Sequence, residues 1–281
     1  MKKHLLLPLV VLLLACLMSA CDNTGKKAAQ KLELATQAFN QGRYDEAQAQ
    51  IDSIKLLYPK AFEVRKAGNR LMRKVELARQ QHTVAYLDSL LSSEQAKLEQ
   101  MKPRYAFEKD EEYQQTGIYF HPSQVIEKNL HRSFLRFQVN ERGTVSMTSI
   151  YCGRTPIHHT AVRVTAPDGT YAQTPTSPDS YETTDLGEHI EKADYKLGAD
   201  GDVISFVTLH KDKNLQVEFL GDRTYKTSLT RNDRQAASAI QELGQVLTSI
   251  AQIQSKLEEC HVKIRFLEER MKKDSLETNG N

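Results

Sequence analysis

Residues 236–271, AASAIQELGQVLTSIAQIQSKLEECHVKIRFLEERM, carry the pattern that decides the fold. Apolar residues and one cysteine recur there at alternating spacings of three and four: Ala236, Ala239, Leu243, Val246, Ile250, Ile253, Leu257, Cys260, Ile264, Leu267 and Met271. An ordinary amphipathic helix, with its 3.6-residue period, would drift off this stripe, so a coiled-coil helix is predicted over 231–273. Thr230 and Asp233 form a capping box at its start. Ile240 and Leu247 widen the stripe and predict extra packing near the neighbouring domain.

A second long helix is predicted over 60–102, which contains no proline and is followed by Pro103. Its apolar residues follow a heptad seam: Leu77, Val84, Leu87, Leu91, Leu98 and Met101. Both predicted helices hold 43 residues, which corresponds to roughly 64 Å each at 1.5 Å per residue. Equal lengths on either side of one domain favour an antiparallel pair, a stalk in which Leu98 and Met101 lie near Ala236. Residues 274–281 are predicted to be a disordered tail.

The intervening segment, 103–230, has the pattern of short antiparallel strands. Residues 134–139 and 215–220 alternate apolar and polar side chains, and the apolar run 203–209 is interpreted as a buried strand. Hairpin turns are predicted at 140–143 and at 167–169. Since no βαβ alternation is present, the fold class is predicted to be α+β, with an inserted antiparallel β-sandwich or barrel. A short helix is expected within 122–131.

Residues 26–59 are predicted to form a helical hairpin that turns at Gly42. Small and apolar residues fall there at characteristic spacings: Leu34, Ala35, Ala38, Gly42, Tyr44, Ala47, Ile51, Ile54 and Pro59. This stretch resembles a single tetratricopeptide repeat, although Lys31 stands where that family has a large residue. A superhelix of such repeats needs about three of them. We therefore expect one hairpin, within a segment 21–59, that packs on the helix after it.

The first twenty residues differ from the rest of the chain. Lys2 and Lys3 precede an uncharged apolar run, and small residues precede Cys21, which predicts a signal peptide over 1–20. The apolar part is shorter than the roughly 20 residues that a membrane-spanning anchor needs. Met18-Ser19-Ala20-Cys21 resembles the lipobox of bacterial lipoproteins, and this resemblance implies that Cys21 accepts the lipid. Leu13-Leu14-Ala15-Cys16 is a competing lipobox that would leave two apolar residues at the mature start.

Composition excludes several classes of function. Removing 1–20 takes two of the 38 basic residues and none of the 36 acidic ones, so the mature chain is close to neutral. Nucleic acid is therefore not an expected partner, because phosphate binding needs a basic excess. Beyond the lipobox region only Cys152 and Cys260 remain, and free thiols are favoured over a bridge between them.

Catalytic and metal-binding patterns are weak. His158 and His159 are adjacent, and adjacent strand residues point to opposite faces, so we interpret them as surface histidines and expect no metal and no cofactor. Asp200-Gly201-Asp202 is interpreted as a turn, because the further ligands of a calcium loop are missing. Eight of the eleven tyrosines lie in 104–229, where packing is favoured over sugar stacking.

These observations predict a non-enzymatic lipoprotein of the bacterial cell envelope, anchored through Cys21, that binds a protein partner or serves as a scaffold. The outer membrane is the expected location, periplasmic or surface facing, although Asp22 resembles an inner-membrane retention signal. Two alternatives stay open. One is a carbohydrate-binding or carbohydrate-degrading lipoprotein, which would need two carboxylates about 5–9 Å apart in one cleft. The other is a structural oligomer that self-associates through the C-terminal helix.

Overall fold

A computed structural model describes residues 24–185, 187–196 and 198–279. The predicted signal peptide and Cys21 lie outside these residues. The chain forms two compact units, one of residues up to Ser89 together with those from Lys256 onward, and one of Leu90–Ser255. The class is α+β, as predicted, with N-terminal helices and with antiparallel sheets inserted between two long helices that pack together.

The N-terminal helices are α1 (24–40), α2 (Tyr44–Leu57) and α3 (Phe62–Met101). Gly42 turns the chain between α1 and α2 with a φ of +72°, a left-handed conformation that glycine adopts without strain. Small and apolar residues of all three helices close a compact core: Ala35, Ala38, Ala47, Ile51 and Val75. The predicted helical hairpin therefore packs on the helix that follows it.

The long C-terminal helix α5 (Arg231–Asn279) runs antiparallel to α3. Just after α3, the Tyr105 hydroxyl donates to the carbonyl oxygen of Ala239 over 2.9 Å, and near the other ends Arg73 forms an ion pair with Asp274. Every predicted seam residue of α5 is buried or half-buried. The antiparallel pair is thus confirmed. The helix continues past residue 273 to Asn279, so the tail predicted to be disordered from 274 is helical as far as the structure describes it.

The start of α5 also follows the prediction. The backbone N–H and the hydroxyl of Thr230 donate to the carboxylate of Asp233 over 3.1 and 2.7 Å, and the Asp233 N–H donates back over 3.2 Å. This capping box satisfies donors that a helix N-terminus would otherwise leave open. Ile240 and Leu247 are both buried in the core of the β domain, as their position beside the seam predicted.

The inserted domain contains two separate antiparallel sheets. One has six strands in the order β1-β2-β3-β4-β8-β7, and the other has four in the order β10-β9-β5-β6. The strands are β1 (Ala106–Glu108), β2 (Ile118–Phe120), β3 (Phe134–Asn140), β4 (Val145–Gly153), β5 (Ala161–Thr165), β6 (Tyr171–Gln173), β7 (Asp179–Asp185), β8 (Glu188–Tyr195), β9 (Gln216–Leu220) and β10 (Tyr225–Ser228). Both predicted hairpin turns are present, between β3 and β4 and between β5 and β6.

One core joins both sheets to the helices. On β3, Leu135, Phe137 and Val139 face inward and are fully buried, and they share this core with residues of β5, β9 and the first half of α5. The hairpin after β3 touches α5 directly, because Gly143 and Gly244 have no side chains there. A Cβ on Gly143 would lie 2.4 Å from the backbone nitrogen of Thr248.

Two predictions inside the β domain were wrong in detail. The apolar run 203–209 is a helix, α4 (Val203–Leu209), not a strand. A short apolar run fits either structure, and here the carboxylate of Asp200 accepts the Ile204 N–H over 2.8 Å and begins a helix. The predicted short helix within 122–131 consists of two 3₁₀ turns, Pro122–Gln124 and Ile126–Lys128.

Candidate functional site

The outer face of the six-stranded sheet carries a pocket of about 330 Å³. Successive side chains of a strand point to opposite faces of the sheet. On β3, β4 and β8, every second residue therefore faces the core, and the residues that alternate with these face the pocket. Strand register sets them in two neighbouring rows: Phe134, Ile150 and Lys192, then Arg136, Thr148 and Asp194. The volume lies at the lower end of the range of small-molecule sites.

One wall of the pocket is formed by the second 3₁₀ turn and by the residues between that turn and β3. The fully buried side chain of Gln124 holds this wall, since its amide donates to the Leu135 carbonyl over 2.7 Å and accepts the Phe137 N–H over 2.9 Å. Gln124 takes the place of a neighbouring strand here, because β2 pairs only with the C-terminal end of β3. Two large apolar side chains of the wall, Ile126 and Leu130, are 49% and 60% exposed.

Two arginines line the pocket, and each is already paired with a carboxylate. Arg132 donates to both oxygens of Asp233 over 2.6 and 2.7 Å. Arg136 pairs with Glu108 at 3.0 Å, and its guanidinium lies 4.4 Å from the ring centre of Phe120. Both side chains are therefore oriented by the protein itself.

Lys192 is the exception among these lining cations. Within the described ranges its ammonium group forms no ion pair, although Asp194 lies two residues further along the same strand face. The Asp194 carboxylate accepts a hydrogen bond from the Thr148 hydroxyl. Beside Lys192 the sheet is apolar, with Ile150 directly opposite and Ile190 two residues before it. An unmatched cation above an apolar surface suits a ligand that joins an apolar group to a negative charge.

A thiol also lines the pocket. Cys152 donates to the Glu188 carboxylate over 3.3 Å, and the same carboxylate oxygen is bound by the imidazole of His131. Burial, followed by the hydrogen bond to Glu188, raises the pKa of Cys152 to about 11. The group is therefore a protonated thiol at neutral pH and a poor nucleophile. Both remaining cysteines are free, as predicted.

A second polar cluster lies between the sheets, around the buried carboxylate of Glu191. One oxygen accepts the backbone N–H groups of Ile157 and His158 over 2.6 and 3.0 Å. The other accepts the backbone N–H and the ring Nδ1–H of His159 over 2.8 and 3.0 Å. Burial raises the pKa of Glu191, but these hydrogen bonds outweigh it and hold the pKa below its usual value. The carboxylate thus fixes the segment before β5 to the six-stranded sheet.

The histidine pair is only partly as predicted. His158 is exposed, but His159 is 2% exposed, so its interpretation as a surface residue was wrong. Its Nε2 lies 2.8 Å from the Ser149 hydroxyl, which completes a Ser–His–Glu chain with the order of a hydrolase triad. Ser149 and His159 face the closed core, and Ser149 is fully buried. No substrate can reach this hydroxyl, so these three residues form a structural hydrogen-bond network.

The same region contains a group that could be considered for a metal ion. Ligand atoms of His158, Glu182 and Glu191 all lie within 4.8 Å of one another. Each oxygen of Glu191 already accepts two hydrogen bonds, however, and a cation would have to displace backbone donors. The His158 ring is bound to Glu182 over 2.9 Å. The geometry therefore favours hydrogen bonding over metal binding in this cluster.

The other candidate residues are dispersed. Asp200-Gly201-Asp202 is the turn that begins α4, as interpreted from the sequence. Of the eight tyrosines in the β domain, Tyr119, Tyr151 and Tyr195 are buried, whereas the exposed ones lie on different strands and loops. Among the described residues that line the pocket, Asp194 is the one carboxylate. The pocket thus lacks the carboxylate pair that glycoside hydrolysis uses.

Neither a known protein family, nor a curated protein, nor a solved structure matches this chain. Among the helices that the structure describes, none has the length and apolar character needed to cross a bilayer. Its function must therefore be inferred from the chain's own residues. The pocket could not be found from sequence, because its lining comes from three strands and from the wall beside them. The register that brings these strands together is not encoded in any short stretch of sequence.

Proposed function

We propose that this protein is a non-enzymatic lipoprotein of the cell envelope, attached through a lipid on Cys21, whose β domain binds an apolar, negatively charged group of a partner or small ligand. The observation that carries the proposal is the pocket on the six-stranded sheet. In it the ammonium of Lys192, which forms no ion pair with any described residue, lies beside the apolar side chains of Ile150 and Ile190.

The ionisable groups around the pocket support binding over catalysis. Both arginines are held by carboxylates, and the pKa of Cys152 is raised to about 11. A thiol nucleophile needs a lowered pKa, because the thiolate is its reactive form. Ion pairs that fix side chains, in contrast, give a preformed surface that loses little conformational freedom on binding.

Two probes with the same ten-carbon chain test the proposal: decanoate, which is an anion, and decyltrimethylammonium, which is a cation. Isothermal titration of the full chain should show binding of decanoate and weaker binding of the cation. Lys192→Met keeps an unbranched side chain of similar length and removes its charge. It should weaken decanoate binding about tenfold, because a hydrogen bond to a charged group contributes about 1.5 kcal/mol or more.

Lys213→Met is the matched control. Lys213 lies in the same unit, is exposed and pairs with Asp168 away from the pocket, so this change should leave decanoate binding unaltered. Equal binding of the two probes, or an equal loss in both lysine variants, would contradict the proposed site. Conversion of a bound probe into a product would contradict the non-enzymatic role.

A further inference from the structure

The α2–α3 turn exposes an apolar tip, which we define as Leu56, Leu57 and Phe62. These three side chains are 80%, 56% and 71% exposed. Single exposed apolar residues are common on soluble proteins. Three large ones within seven residues, at the turn between α2 and α3, form a cluster of the kind that marks a contact with a protein or a membrane.

The hairpin geometry places the tip beside the start of α1. Arg43 donates from its backbone to the Ala38 carbonyl at the turn, and Lys31 donates to the side chain of Gln50 further along. The two residue numbers of each pair add up to the same value. Residues that lie level with each other in an antiparallel helix pair follow this rule. Extending this pairing brings residue 24 level with Leu57.

The predicted lipid-bearing cysteine precedes residue 24 by three positions. Three residues of chain span at most about 10 Å. A lipid on Cys21 would therefore be attached within about 10 Å of residue 24, which itself lies about one interhelical spacing of 8–10 Å from Leu57. This step rests on the proposed lipoprotein function.

Charge at this end of the hairpin suits the surface of a bilayer. Residues 24–27 and 55–63 contain one acidic residue, Glu63, and four exposed lysines, of which Lys55 pairs with Asp52 at 3.3 Å: Lys26, Lys27, Lys55 and Lys60. Anionic lipid headgroups attract such a basic edge, while apolar side chains enter the boundary between headgroups and acyl chains. Lysine side chains can also extend from an apolar tip toward the headgroups.

We propose that Leu56, Leu57 and Phe62 insert into the surface of the same membrane that holds the lipid on Cys21. The lipid keeps the tip close to the bilayer and so raises its effective concentration there. Insertion of the tip, which would be weak without the lipid, is then favoured. A lipid is a flexible tether, and the inserted tip would fix the orientation of the helical hairpin on the membrane.

The sequence contains no tryptophan, which allows a clean reporter of insertion. Phe62→Trp makes the tip residue the sole tryptophan, and Leu57→Trp serves as a second reporter in case the first disturbs α3. Tyr86→Trp is the matched control, because Tyr86 is 67% exposed on the same helix and in the same unit. It lies 24 residues beyond Phe62, about 36 Å along α3.

The mature lipidated chain carrying each reporter is reconstituted into vesicles of phosphatidylethanolamine and phosphatidylglycerol, with and without brominated acyl chains. For Phe62→Trp we expect emission at shorter wavelength than in Tyr86→Trp, and loss of most of its intensity to the brominated lipid. Adding Leu56→Asp and Leu57→Asp should abolish that quenching while the lipid stays attached. Replacing phosphatidylglycerol by phosphatidylcholine should reduce it.

The mass of the mature protein separates the two proposals. If the lipid is on Cys21 and Phe62→Trp is quenched no more than Tyr86→Trp, the tip proposal is wrong and the anchor stands. If no lipid is attached and quenching at Phe62→Trp persists, the anchor is wrong and the tip binds membranes by itself. If the emission shift occurs without vesicles and grows with protein concentration, the tip is covered by a second copy of the chain, and membrane insertion is rejected.

Discussion

Loss of the Glu191 carboxylate should strongly lower the free energy of unfolding of the β domain. Glu191 is 1% exposed, and its carboxylate accepts four hydrogen bonds, three from backbone N–H groups and one from His159. Glu191→Ala leaves those donors without an acceptor. At about 1 kcal/mol or more for each donor on a buried residue, the loss in free energy of unfolding should be roughly 3–5 kcal/mol.

Glu191→Gln tests the charge with little change of shape. Its amide oxygen can keep the Ile157 and His158 donors, but its NH₂ group then faces the backbone N–H of His159. The ring of His159 can change tautomer and donate to Ser149 instead, so we expect a smaller loss of about 2 kcal/mol. For a domain of this size that corresponds to a melting temperature lower by about 4–8 °C.

Glu182→Gln is the matched control, because Glu182 lies directly opposite Glu191 on β7 and its side chain is about half exposed. It should change the free energy of unfolding by less than about 0.5 kcal/mol. Urea unfolding followed by near-ultraviolet circular dichroism of the buried tyrosines measures both variants. If Glu191→Gln is as stable as Glu182→Gln, the four hydrogen bonds do not hold this segment in place.

The pH dependence has a defined sign. Burial lowers the pKa of His159. As the pH falls through about 6.5, this histidine is therefore protonated in the unfolded chain before it is protonated in the folded one. The pKa of Glu191 is also lowered, from an ordinary value of 4.5. Both groups therefore stabilise the fold at neutral pH, and this stability declines as the pH falls below 6.5 and again below 4.5. The second decline should be smaller in Glu191→Gln, although other carboxylates with lowered pKa values, such as Glu188, keep part of it.

Three further predictions concern other parts of the chain. Cys21→Ser should abolish labelling by a fatty-acid analogue, and undiminished label would move the lipid to another cysteine. Leu257→Asp puts an unpaired charge at a 7% exposed seam position and should reduce the free energy of unfolding by several kcal/mol, whereas Gln254→Asp on the exposed face should not. Alkylation of Cys152 should be slow at pH 8 and rise about tenfold per pH unit toward its pKa of about 11, and Cys260, 2% exposed, should react only on unfolding.

Local patterns predicted the helical parts of the fold well. The heptad stripe from Ala236 to Met271 is a property of one continuous segment, so its buried face follows from spacing alone. Thr230 and Asp233 lie three residues apart and form their cap without help from distant residues. The hairpin turns at Gly143 and Gly169 are local in the same sense, since glycine accepts the positive φ that each turn needs.

The candidate sites depend on contacts between residues far apart in the chain. The run 203–209 had no periodicity to separate helix from strand, and in the structure the hydrogen bond from Ile204 to Asp200 begins a helix there. Ser149, His159 and Glu191 meet because β4 pairs with β8 in one particular register, and Lys192 reaches the pocket for the same reason. A shift of one residue would send each of these side chains to the opposite face. That register is set by the shared core of two sheets and α5, and no short stretch of sequence encodes it.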